Sequence, residues 1–128
     1  MSSFEILAII GIAATVAVII YIVATQVETG SPLLAAALSL GFGGYTFLTM
    51  SREGADILWA NHTETFWGVQ VWWDLLISVS LALFLIAPRA RARGMKILPW
   101  ALFVAATASI GLLAMVARLF WLERHSES

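Results

Sequence analysis

ILPWALFVAATASIGLLAMVARLFWL, residues 97–122, carries a single charge, Arg118. About 20 apolar residues suffice to cross the hydrocarbon core of a bilayer. The stretch therefore reads as one membrane-spanning helix, with Pro99 in its first turn. Residues 4–26, 32–50 and 66–87 read the same way. Ser31-Pro32 supplies a cap and first-turn proline for the second helix, and Pro88 is expected to end the third. The expectation is an all-α membrane protein, a single integral membrane domain over residues 1–128, built as a bundle of four transmembrane helices. Short links at residues 27–31 and 88–96 make antiparallel neighbours of helices one and two and of three and four. The one long link, residues 51–65, sets Ala55, Ile57, Leu58 and Trp59 among charges. That pattern predicts a short interfacial helix before helix three.

Composition supports a lipid environment. The chain is 61% hydrophobic and 12% charged, whereas soluble domains are about 45–50% apolar and about 25% charged. A domain this small leaves much of its surface exposed, so the excess cannot all be hidden inside. The net charge of −1 gives nucleic acid no footing. With no cysteine, disulfides, thiolate catalysis and Cys-ligated metals are excluded. His62 and His125 lie far apart in sequence and predict no metal site, and no haem or other cofactor is expected. Residues 1–5 lack Lys and Arg, and the apolar run that follows exceeds the roughly 7–15 residues of a signal-peptide core. The first segment is expected to be a retained transmembrane helix.

Residues 89–96, RARARGMK, hold four of the seven basic residues. Short basic loops stay in the cytoplasm. With four spans, this places the 89–96 loop in the cytoplasm and both termini outside, in a bacterial plasma membrane. The bland reading of the loop is a topology determinant, weighed against an anionic-lipid site. Residues 123–128 read as a short solvated tail. Gly41, Gly43 and Gly44 on helix two, with Ala105, Ala106, Ala108 and Gly111 on helix four, are small enough to let helices approach closely.

Asp74 is the candidate of greatest chemical interest. Helical spacing sets Trp67, Gln70, Asp74 and Ser78 on one face. A charge at this depth normally faces the bundle and has a partner. Arg118 is the expected partner, in an ion pair locking helices three and four; alternatively it reaches the outer interface and leaves Asp74 to Gln70, Tyr45 or water. Trp59, Trp67, Trp72 and Trp73 form either an aromatic belt at the interface or the walls of a pocket, where ring faces could stabilise a cation. Asn61, His62 and Glu64 lead into helix three. Asn61 or Thr63 is expected to cap it, with Glu64 favoured by the helix dipole. Asn61-His62-Thr63 also matches the glycosylation acceptor pattern, a short and common one.

Trp59-Ala60-Asn61, Phe66, DLLIS at residues 74–78, the basic turn ending in Gly94-Met95, Pro99-Trp100 and RLFWLER at residues 118–124 carry a resemblance. Over about residues 45–124 the chain resembles a family of small bacterial multi-pass membrane proteins described only as a domain of unknown function. His62-Thr63 stands where that family usually has Pro-Ile, and the Trp72-Trp73 pair is not typical of it. The resemblance implies Asn61 and Asp74 as key residues and implies no activity.

Two readings follow. The first is a non-catalytic accessory or lipid- or quinone-associated membrane component, in the bilayer alone or in a larger membrane complex. The second is a small membrane enzyme of isoprenoid cyclase or isomerase type. Asp74 would be its general acid, assisted by Asn61 or Glu64. Trp59, Trp67, Gln70, Trp72, Trp73, Tyr45 and Arg118 would line its lipid or substrate site.

Overall fold

A computed structural model describes residues 1–125; residues 126–128, the last part of the expected tail, lie outside the described residues. Among the described residues all regular structure is helical. The chain forms two compact units, Met1–Gly30 and a second beginning at Ser31.

The first unit holds α1, Ser3–Ala24. Its start is a capping box: Glu5 N donates to the Ser2 hydroxyl at 3.1 Å, and Ser2 N donates to the Glu5 carboxylate at 2.7 Å. Together these satisfy two of the backbone donors that a helix start leaves open.

The second unit holds α2 (Pro32–Glu53), α3 (Asp56–Thr63), α4 (Phe66–Ala92), α5 (Ile97–Thr107) and α6 (Ser109–His125). The α1, α2 and α4 helices are each long and apolar enough to cross a membrane, which suggests a membrane location. Ser31 caps α2 as expected, accepting from Leu34 N at 3.1 Å. The expected short helix before the third span is present as α3. The cap of α4 is neither Asn61 nor Thr63 but Thr65, whose hydroxyl accepts from Gly68 N at 2.9 Å.

Pro88 does not end α4. The helix continues to Ala92, although an interior proline costs about 3 kcal/mol in lost bonding and clash. What ends it is a Schellman motif. Gly94 sits at φ 80°, its N–H donates to Arg91 O at 3.0 Å, and Met95 N–H donates to Ala90 O at 3.0 Å. Ala90 and Met95 are both buried in the same apolar cluster, the hydrophobic contact that accompanies such a motif. At 1.5 Å per residue α4 is about 40 Å long, some 10 Å more than the hydrocarbon core.

The expected fourth span is two helices. Ala108, between α5 and α6, has φ 54° and ψ −115°, a left-handed conformation costly for any residue with a Cβ. There the chain turns back. A Cβ added at Gly111 would lie 2.9 Å from Phe103 O and 2.9 Å from Val104 Cα. Such proximity across seven and eight residues requires α6 to fold against α5. Val104, Met115 and Leu119 close the core with Ala90 and Met95, and Ile97, Trp100, Leu112 and Leu122 pack around it. Trp100 and Pro99, at the start of α5, share a cleft with Arg118 and Leu122, near the end of α6. The pair is thus an antiparallel hairpin, not one continuous rod.

A consequence is that the end of α6 returns to the basic turn. Arg89 donates to the Glu123 carboxylate through both Nε (3.0 Å) and Nη2 (2.6 Å). Glu123 is 7% exposed, so it is no part of a solvated tail. The basic turn and the C-terminal end of α6 occupy one end of the unit, and the expected separation of the two by a fourth span is corrected.

The α2 helix packs on α6 through small residues. Ala35 and Ser39 are buried, the Ser39 hydroxyl donates to Ile110 O at 2.8 Å, and a Cβ on Gly43 would stand 3.7 Å from Ile110 Cγ2. Residues four apart lie on one helix face, so Ala35, Ser39 and Gly43 form the contact stripe. Gly41 and Gly44 face open space.

Candidate functional site

The expected Asp74–Arg118 pair does not form. Asp74 lies on the exposed face of α4, as do Trp67, Gln70, Trp73 and Ser78. Arg118 stands at the other end, its guanidinium carbon 5.0 Å from the centroid of Trp121, in the cleft shared with Arg93 and Lys96. The physical reason is the reversal at Ala108. A straight helix would have carried Arg118 away from the basic turn toward the level of Asp74; the hairpin carries it back. The polar stripe of Gln70, Asp74 and Ser78 exists, but it faces away from its own unit.

The α3–α4 corner gathers other candidates. Gly68 lets α3 approach closely, since a Cβ there would collide with Asn61 O. This seats Trp72 against α3, with ring centroids 6.4 Å from Trp59 in an edge-on contact and 5.3 Å from His62. The His62 ring is further fixed by Nδ1, 2.7 Å from Leu58 O. Glu64 ends α3 as its C-cap, its N–H donating to Ala60 O.

A cavity of about 310 Å³ lies between α2 and α3, lined by Phe42, Tyr45, Met50, Leu58, Asn61 and His62, with Thr46, Thr49 and Glu53. Its walls are mostly apolar, with a few convergent polar groups, the usual make-up of a small-molecule site. Tyr45 and Asn61 thus meet at one cavity. Asp74, Trp67, Trp73 and Arg118 do not line it. Among the described residues no group of three His, Asp or Glu side chains could hold a metal ion.

Sequence reasoning missed the Arg89–Glu123 pair and the meeting of Arg118 with Lys96. The first had a faint signal, a glutamate just beyond a long apolar run. The second had none short of knowing where the chain reverses. No family model matches the chain, and no curated protein or solved structure matches it.

Proposed function

We propose that the chain is a small non-catalytic component of a membrane assembly, joined to its partner through the α4 face that carries Gln70, Asp74 and Ser78. One observation carries the reading: an acid on the exposed side of a helix long and apolar enough to cross a bilayer. An unpartnered charge near the bilayer centre costs about 2.5–3.5 kcal/mol on insertion scales. A partner helix presenting a cation or hydrogen-bond donors removes that cost, and polar side chains serve as such glue between membrane helices. The family resemblance, also part of this proposal, would make Asp74 a shared feature of related chains. The orientation that agrees with the charge distribution has the basic end, with α6's C-terminus, in the cytoplasm and α3 lying along the opposite interface.

The test is the size of the native protein extracted in mild detergent. The wild type is expected in a particle larger than its 13.9 kDa, and Asp74→Leu is expected to release a folded monomer. Wild type running as a monomer with no partner would overturn the proposal.

The α2–α3 cavity favours a second reading, a lipid- or quinone-associated component, because its apolar walls suit an isoprenoid or acyl chain and Tyr45 and Asn61 offer polar contacts to a head. Lipid extraction of the purified protein should then yield one prenyl lipid or quinone in stoichiometric amount, lost when Leu58→Trp fills the cavity. The enzymatic reading needs Asp74 beside the substrate; turnover of a prenyl lipid that vanishes in Asp74→Asn would restore it.

A further inference from the structure

We propose that the cleft at the basic end binds a phosphate group, presented by the headgroup of an anionic phospholipid. The inference needs only the membrane reading and is independent of the α4 partner face and of the α2–α3 cavity. The cleft, of about 360 Å³, is lined by Arg93, Gly94, Lys96, Trp100, Arg118 and Leu122, with Met95 and Pro99. Basic residues in a short loop set topology and need form no site. That account covers Arg93 and Lys96. It does not cover Arg118, which comes from another helix and enters only because α6 folds back.

Three features point to an anion rather than to a diffuse basic surface. Among the described residues no carboxylate lines the cleft, and Glu123, the acid on the neighbouring turn of α6, already accepts two hydrogen bonds from Arg89. Arg118 is held over the Trp121 ring, which steadies the guanidinium while leaving its donors available. Lys96, the N-cap of α5, lines the same cleft and adds an ammonium to the Arg118 guanidinium. Phosphate oxygens accept from both guanidinium and ammonium donors, and such charge-assisted bonds are the stronger class. Trp100, Pro99 and Leu122 give the cleft an apolar wall beside the charges. A free anion makes no use of such a wall, whereas the glycerol and first methylenes of a lipid do. Basic pockets between membrane helices are a recurrent headgroup site.

The experiment is native mass spectrometry of the full chain in detergent, where no charged bilayer surface contributes. Phosphatidylglycerol and phosphatidylcholine are offered at equal concentration, and inorganic phosphate is added in a second arm. One phosphatidylglycerol per chain is expected, with phosphatidylcholine excluded. Lys96→Gln and Arg118→Gln should each weaken retention at least about tenfold, the value of one lost hydrogen bond to a charged group. Arg91→Gln, the same charge change outside the cleft, should stay within about twofold. Inorganic phosphate that binds equally well, with no lipid retained, would overturn the headgroup assignment in favour of free phosphate. Equal losses in Arg91→Gln, or no preference between the two lipids, would overturn the site. Melting temperatures near wild type in the variants are the check that binding, not folding, was changed.

Discussion

The two ends of the second unit are built on different physics. At the basic end, α4, α5 and α6 bury Ala90, Met95, Val104, Met115 and Leu119 against one another and close a two-bond ion pair over them. At the other end α3 buries no residue. It is held to α4 by a glycine contact and two ring contacts, and it leaves a cavity against α2. Elements with few buried contacts open at low free energy, and ligand sites are drawn from them. The basic end is therefore the rigid part, fit to hold fixed charges in register. The α3 end is the part that opens at lower cost. Substitutions that damage one end should leave the other intact, and that separation can be measured.

The largest effect is expected at the ion pair. Arg89→Ala leaves a carboxylate that is 7% exposed short of two charge-assisted hydrogen bonds, and should cost about 1.5–3 kcal/mol. Glu123→Ala should cost less, because the Arg89 side chain is 44% exposed and water can take over its donors. Thermal melting in detergent reads the order; Glu123→Ala as the worse variant would show that the pair is not asymmetric in burial. Labelling of a cysteine placed at Leu58 should report an unchanged α3 in both.

Next in size is the close crossing of α5 and α6. Gly111→Ala puts a methyl against the backbone of residues 103 and 104, and overpacking of this kind costs about 1–3 kcal/mol. Gly44→Ala, on a surface with nothing within 4 Å, should gain up to about 1 kcal/mol, because alanine is the better helix former. Equal melting temperatures for the two variants would mean that α6 does not fold back on α5, and the description of the basic end would fail with it.

These residues also show which parts of the architecture were legible beforehand. Hydropathy marks α1, α2 and α4, because each must satisfy its backbone internally and present apolar side chains over some 20 residues. Ser31-Pro32 is readable as a helix start because its chemistry is local, and α3 is readable from apolar residues interleaved with charge. Hydropathy says nothing of direction, however. Residues 97–122 are as apolar in a hairpin as in a rod, and the reversal falls at Thr107-Ala108-Ser109 without the glycine or proline that announces a turn. Everything that depends on direction was lost with it: the partner of Arg118, the burial of Glu123 and the end of the unit at which α6 finishes. Pro88 misled in the opposite sense. A local rule for ending a helix was overridden by packing of the following turn, where Ala90 is fully buried. Of the candidate site, Tyr45 and Asn61 were identified but not their meeting, since cavities arise between elements and leave no mark on either.

The smallest effect bears directly on that unannounced turn. Ala108 holds φ 54°, where its Cβ crowds the backbone, and its N–H donates to Val104 O at 2.6 Å. Glycine adopts this conformation without that crowding, though it loses more freedom on folding. The two terms oppose, and the steric one, about 1–2 kcal/mol for a left-handed residue, exceeds the entropic one of roughly 0.5–1 kcal/mol. Ala108→Gly should therefore raise the melting temperature slightly, corresponding to at most about 1 kcal/mol. In a continuous helix the same substitution would lower it by a similar amount, since an interior glycine costs about 0.8–1 kcal/mol against alanine. The sign alone separates the hairpin from the rod. Ala105→Gly, within α5 and on its exposed face, supplies the reference, because it must destabilise under either arrangement.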